Sequence, residues 1–384
     1  MPHCNEQYGQ CVFVGADATG DHRLVDEPAR VRPAVLDLPP MSPPDRPLIA
    51  RSYVGCVSEV FPRIVRTNTV GSRPHVRFAL RLGDTESVPN NDVHPELRRI
   101  ARFTPRHLVG PRTFRLIRAL QALRQRRTPG DAEVISLSSG AGVRLFRAAG
   151  GLEPTPALLW IHGGGYVFGT ARDDDRLCRR LSRRLGITVA SVDYRLAPEH
   201  PYPAPLQDCY SALTWLAGLP SVDPQAVAIG GASAGGGLAA ALALLARDRG
   251  EVTPVFQLLT YPMLDDRSST TAEKPHYRLW STRSNHFGWT AYLGDADPNV
   301  AVPGRRDDLS GLAPAWIGVG THDLFHDEDL AYAERLRQAG VPCEVEVIPG
   351  VFHGFDMWMP KAQVSRRLFD MQCDSLRAAL ARAG

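Results

Sequence analysis

The sequence predicts an α/β fold with a mostly parallel central sheet flanked by helices. Three observations predict it. From about Val134 to the C-terminus, short apolar runs of strand length alternate with longer helical patterns, the signature of a sheet whose strands are joined by crossover helices. Several of these runs are apolar throughout rather than alternating, as in strands buried on both faces. The chain has 384 residues, 43% of them hydrophobic, enough for one large α/β domain plus additions.

Taken in order, the strands end on chemistry-bearing residues. Ala157-Leu158-Leu159-Trp160-Ile161 reads as a buried strand and leads into His162-Gly163-Gly164-Gly165. Thr188–Val192 reads as a strand that ends at Asp193. Val227-Ala228-Ile229 reads as a strand, Gly230 and Gly231 permit a tight turn, and Leu238–Leu245 reads as an Ala/Leu-rich helix. Between them lies G-A-S-A-G at 231–235, the chain's one G-x-S-x-G. Strand, sharp turn and helix form a nucleophile elbow that lifts Ser233 above the sheet, and small residues at 231 and 235 let the helix and strand backbones approach. The same letters also fit a Gly-rich turn with an idle serine. Val255–Tyr261 reads as a further strand. Trp316–Gly320 reads as a strand with Asp323 just past its end. A helix through Leu336 opens with Asp327, Glu328 and Asp329, where the helix dipole favours acids. Cys343–Ile348 alternates like a strand, and Pro349-Gly350 begins a loop that delivers His353.

In an open parallel sheet the ligand lies beyond the carboxyl ends of the strands. Ser233, Asp323 and His353 all fall at such ends, in the order nucleophile, acid, base. His353 would take the Ser233 proton, and Asp323 would hold the imidazole in the right tautomer. The glycines after His162 leave backbone N–H groups bare for a developing oxyanion. In H-G-G-G loops the partner N–H comes from the residue after the nucleophile, here Ala234. His162 is read as an anchor of that loop. A phosphate-cradling role for it lacks the spacing and the later acid of a dinucleotide site. Asp193 precedes the serine and breaks the order. His322 and His326 could pair on a metal at i, i+4, but His322 precedes the expected helix, and no metal is assigned. His200 and His286 are read as surface residues.

Together, H-G-G-G, Y-R-L-A-P-E at 194–199, G-A-S-A-G-G at 231–236, H-D-L-F at 322–325 and H-G-F at 353–355 resemble the bacterial hormone-sensitive-lipase branch of the α/β hydrolases, over about residues 93–384. The resemblance implies an α/β-hydrolase fold with a helical cap and an esterase acting on carboxylic esters without a cofactor. It implies oxyanion donors at Gly164, Gly165 and Ala234, with Gly163 shaping the loop. It implies that Asp193, Tyr194, Arg195 and Glu199 buttress the site. The family's commonest pattern has Asp before the serine, where this chain has Ala232, so substrate preference does not carry over. The expected function is hydrolysis of short- to medium-chain esters through an acyl-enzyme. An amidase or deacetylase on the same three residues is the alternative, followed by a non-catalytic receptor on a hydrolase scaffold.

Bulk properties exclude other classes. A formal net charge of +3 implies no nucleic-acid partner. The seven cysteines are odd in number without C-x-x-C spacing, which argues against a disulfide framework and suits a reducing cytosol. No run approaches the roughly 18 apolar residues of a membrane span, and the N-terminus lacks a signal-peptide pattern. The expectation is therefore a cytoplasmic protein. Residues 1–92, with seven prolines between Pro28 and Pro47, are expected to be largely disordered, so the folded unit begins near Val93. Pro95–Arg127 is expected to be helical and strongly basic. Its arginines (Arg98, Arg99, Arg102, Arg106, Arg112, Arg115, Arg118, Arg124, Arg126 and Arg127) face only Glu96, and Phe114, Ile117, Leu120 and Leu123 form one apolar stripe. The preferred reading is a surface helix pair with a solvated arginine face. The alternative is weak interfacial contact of 95–127 with lipid. The family's cap would comprise 93–127 and 265–305, the latter carrying Tyr277, Trp280, Phe287, Trp289 and Tyr292. These would line an acyl pocket or form the cap's own core.

Overall fold

The computed structural model describes residues 92–126, 132–148 and 154–383. The expectation for the N-terminal extension falls on residues outside this set. The strands are β1 (Glu133–Ser136), β2 (Gly142–Phe146), β3 (Thr155–Ile161), β4 (Thr188–Asp193), β5 (Val222–Ala232), β6 (Gln257–Thr260), β7 (Ala315–His322) and β8 (Cys343–Phe352). They form one eight-stranded sheet in the order β1-β2-β4-β3-β5-β6-β7-β8. The β1–β2 and β2–β4 pairs are antiparallel, and every pair from β4 to β8 is parallel. β3 is buried from Ala157 to Ile161 and β5 from Ala226 to Ala232, as its position between crossover layers requires.

The longer helices are α1 (Phe114–Arg126), α2 (Asp175–Leu185), α3 (Ala204–Ala217), α4 (Ala234–Arg249), α5 (Thr282–Leu293), α6 (His326–Gln338) and α7 (Gln363–Ala383). α4 has almost no polar face and is buried from Ala234 to Leu244. Its Ala/Leu sequence is thus explained by its place inside the core.

Four expectations are corrected. The first concerns 95–127, which is not continuously helical: a short helical segment at Pro95–Ala101 and α1 are separated by irregular chain. Its apolar stripe is split, for Phe114 is buried and Ile117 half-buried, while Leu120 and Leu123 are 57% and 48% exposed. Nor is its arginine face wholly solvated. Arg118 donates to the carbonyls of Val167 (2.7 Å) and Ala197 (2.6 Å) and pairs with Glu199 at 2.9 Å. Glu96 accepts the backbone N–H groups of Gln363 and Val364, capping α7. Free N–H groups at a helix start attract a carboxylate more strongly than exposed guanidinium groups do.

The second correction is that Pro349-Gly350 lies inside β8 rather than opening a loop. Gly320 pairs with Ile348 and His322 with Phe352, so β8 carries two extra residues over that stretch. Gly350, at φ 70°, takes up the bulge. Its N–H donates to Thr321 Oγ1, and its carbonyl accepts from His94. The third is that Gly230 and Gly231 are strand residues without positive φ. They are small because a side chain on Gly230 would press on Leu258 and one on Gly231 would overlap the Gly235 and Ile161 carbonyls.

The fourth is that the helix dipole does not account for the acids opening α6. Only Asp327 is a surface residue, hydrogen-bonded to His326 at 2.7 Å and drawn down to about 2 by that bond. Glu328 is enclosed and accepts from the N–H groups of Leu264 and Asp265 (2.7 and 3.2 Å), and burial pushes its carboxyl up to about 8. Asp329 is fully buried, and neither carboxyl oxygen has a partner among the described residues.

Burial raises the Asp329 carboxyl well above the usual range, reinforced by the charges of Glu328 and Asp323. The folded state therefore holds a proton that the unfolded chain loses above about pH 4, so stability falls as pH rises from there. Asp329→Ala is expected to stabilise the protein by about 1–3 kcal/mol at pH 7. The gain should shrink toward pH 4. Chemical denaturation at both pH values measures it, and equal or lower stability of the variant at pH 7 would contradict the expectation.

Candidate active site

Ser233 sits between β5 and α4 with φ 56° and ψ −123°. A serine in that region carries about 1–3 kcal/mol of backbone strain, held here by hydrogen bonds on both sides. Its N–H donates to Thr260 O, and its carbonyl accepts from Gly237 and Met263. At Gly235 a Cβ would overlap the carbonyls of Ile161 and His162, so the elbow depends on glycine for close approach.

His353 follows β8 and is buried beside the elbow. Its Nε2 lies 2.8 Å from Ser233 Oγ and its Nδ1 2.9 Å from Asp323 Oδ2. The other Asp323 oxygen accepts the Phe325 N–H at 3.0 Å. With Nδ1–H donated to Asp323, Nε2 is left as the acceptor for the Ser233 hydroxyl. Edge-on rings of Tyr261 and Phe325 hold the imidazole at 4.8 and 5.0 Å between centroids. The structure thus brings together Ser233, Asp323 and His353, which are separated by up to 120 positions.

The H-G-G-G loop packs against this group. A Cβ on Gly163 would stand 3.4 Å from the Ser233 Cβ and 3.0 Å from the Ala232 carbonyl. Gly164 and Gly165 have φ 118° and 56°, and side chains there would overlap the Phe168 carbonyl and the Trp280 ring. Neither N–H makes a hydrogen bond among the described residues. Ala234 is buried as the first residue of α4, where an N–H has no partner within the helix. His162 donates from Nδ1 to the Gly163 carbonyl at 2.7 Å and stacks on Tyr194 at 4.2 Å, so it anchors the loop as expected. Tyr194 in turn donates to the His162 carbonyl, Asp193 accepts the Ala171 N–H, and Arg195 forms a two-pronged pair with the fully buried Asp208.

The remaining candidates lie elsewhere. His322 ends β7 and stacks on His276 at 4.5 Å, while His326 opens α6, so the two share no helix face. Among the described residues no cluster of metal-ligating side chains occurs. Cys178, Cys209, Cys343 and Cys373 are free thiols.

A cavity of about 690 Å³ opens over Ser233, within the range of small-molecule sites. Both expected cap segments contribute walls, Leu108, Val109 and Gln121 from one and Leu279 and Trp280 from the other. They are tied together by Leu279 N–H to Pro105 O, Arg278 to Ala101 O and Ser284 Oγ to Val109 O. Of the five cap aromatics, only Trp280 reaches the cavity. Tyr292 stacks on Tyr166 at 4.1 Å, and Phe287 meets Phe114 at 5.4 Å. The opposite wall, from α2 and α7, was not legible in the sequence. It includes Asp174, Arg180, Phe369 and Gln372, with Tyr261 and Asp356 nearby. Tyr261 and Asp356 had a usable signal, for one ends the sixth strand and the other lies three residues past His353.

A family model of the α/β-hydrolase fold matches residues 158–357, more than half of the chain. The chain belongs to the hormone-sensitive-lipase-like α/β hydrolases. This α/β hydrolase is 39% identical to the carboxylic ester hydrolase LipN of Mycobacterium tuberculosis over 242 residues, 59% of this chain and 64% of that protein. It is 38% identical over 209 residues to esterase LipI of the same organism, 52% of this chain and 65% of that protein. The alignments thus span a little under two thirds of these relatives. Among solved structures, the hydrolase matches a bacterial heroin esterase with TM-score 0.68 at 36% identity, covering 75% of this chain and 98% of that one. No helix among its described residues is long and apolar enough to cross a membrane.

Proposed function

We propose that the protein is a serine carboxylic ester hydrolase acting on short- to medium-chain esters through an acyl-enzyme. The observation that carries this is the unbroken chain from Ser233 Oγ through His353 to Asp323 (2.8 and 2.9 Å) at the floor of a roofed cavity. Ser233 attacks the ester carbonyl as His353 Nε2 takes its proton. The oxyanion meets the N–H groups of Gly164, Gly165 and Ala234. His353 returns the proton to the departing alcohol, then activates the water that releases the acid. Losing one oxyanion donor typically costs about 3–4 kcal/mol of barrier. Esterase names among the relatives support the ester over other acyl substrates. The unit carrying the chemistry is 93–384, since His94 and Glu96 are already tied to β8 and α7.

Hydrolysis of p-nitrophenyl esters from acetate to palmitate tests the reading. The expected result is a maximum at short to medium chains, with weaker turnover of an acetanilide than of the matching aryl acetate. A maximum at long chains above the solubility limit would favour a lipase and interfacial docking of 95–127. Faster amide turnover would favour an amidase.

A further inference from the structure

The cavity over Ser233 contains more acid than acyl transfer uses. Asp174 immediately precedes α2, and its Oδ2 accepts the indole N–H of Trp160 at 2.8 Å. Asp356 follows His353, and its Oδ1 accepts the Tyr261 hydroxyl at 2.7 Å. Both residues line the same cavity and are half-buried. Among the described residues neither accepts a hydrogen bond from a cationic side chain. The arginines of the cavity wall are engaged differently: Arg176 is exposed, and Arg180 lies over the Phe369 ring at 3.7 Å. Two acids in a pocket lined by Tyr261, Trp280 and Phe369, neither bonded to an arginine or lysine among the described residues, make a site suited to a cationic group.

We propose that Asp174 and Asp356 form a specificity subsite for a protonated amine, so that the preferred substrates are esters bearing an ammonium group on one arm. The inference rests on the esterase reading above and names the substrate class of that site. Burial, together with the neighbouring charges of Asp173, Asp356 and Asp175, pushes the Asp174 carboxyl up to about 7, against the Trp160 hydrogen bond. Burial also raises Asp356, while Tyr261 and the charge of His353 oppose it. Asp174 thus loses negative charge as pH falls through neutrality, and the attraction of the site for a cation falls with it. The other charged or titratable groups lining the cavity are Asp173, next to Asp174, His162 and His353 beside Ser233, and Arg176 and Arg180 on α2.

The test compares p-nitrophenyl ω-(dimethylamino)heptanoate with the analogue whose dimethylamino group is replaced by isopropyl. The same pair of groups is then placed on the alcohol arm of acetate esters. Shape is matched within each pair, so the ratio of kcat/KM values isolates the charge. The expected ratio on one arm is about tenfold to a hundredfold in favour of the amine at pH 8, the range for hydrogen bonds to charged groups. It should shrink toward pH 6. Asp174→Asn and Asp356→Asn should each lower it severalfold. Ratios at or below one on both arms of the wild-type protein, or ratios that neither variant changes, would overturn the subsite while leaving the esterase reading intact. Turnover of no ester at all would remove the esterase reading and the subsite together.

Discussion

Ser233→Ala is expected to lower kcat by about 10⁴–10⁶-fold, the range found when a serine nucleophile is removed from such an assembly. The Cβ is retained, so the elbow conformation at φ 56° meets no new clash, and Thr260 O and the N–H groups of Gly237 and Met263 still bond the backbone. Folding should therefore survive while the reaction is lost. An alkyl fluorophosphonate should label the wild-type protein once, at Ser233, and leave the variant unmodified. His353→Ala added to Ser233→Ala should cost little more, because the two act as one unit. Turnover of the variant within tenfold of wild type would mean that a different group forms the acyl bond.

Asp323→Asn should lower kcat by about 10⁴-fold. The Phe325 N–H can still be accepted by the amide oxygen. The amide nitrogen would then face His353 Nδ1 as a donor. That forces the imidazole proton onto Nε2, where it opposes the Ser233 hydroxyl. The nearby acids are poorly placed to substitute. Asp327 is bound to His326 at the surface, and Glu328 is occupied by the N–H groups of Leu264 and Asp265. Steady-state kinetics on p-nitrophenyl butyrate measures the effect. Near-wild-type kcat would assign the orienting role to an acid other than Asp323.

The parts of the site legible in the sequence are those fixed by local backbone geometry. G-A-S-A-G and H-G-G-G are readable because the elbow and the loop each need glycine where another backbone comes too close, as at Gly235 against Ile161 and His162. Asp323 and His353 were legible through strand order and the rule that ligands collect at carboxyl ends. Pro349-Gly350 misled because a proline–glycine pair reads as a turn, whereas pairing with β7 absorbs it as a bulge. Leu120 and Leu123 misled because periodicity reports a face without saying whether a partner covers it.

By itself, then, the sequence determined the alternating architecture, the elbow, the loop beside it and the places of Asp323 and His353 at strand ends, since each is written in neighbouring residues or in strand order. Tertiary structure alone decided which acids are buried. Asp327, Glu328 and Asp329 are consecutive, yet one faces solvent, one holds a neighbouring loop and one has no partner among the described residues. It alone brought Asp174 from the turn before α2 and Asp356 from beyond β8 into the cavity of Ser233. The physical reason is that burial and charge proximity depend on residues far apart in the chain, and the packing of α2 and α7 against the sheet sets them.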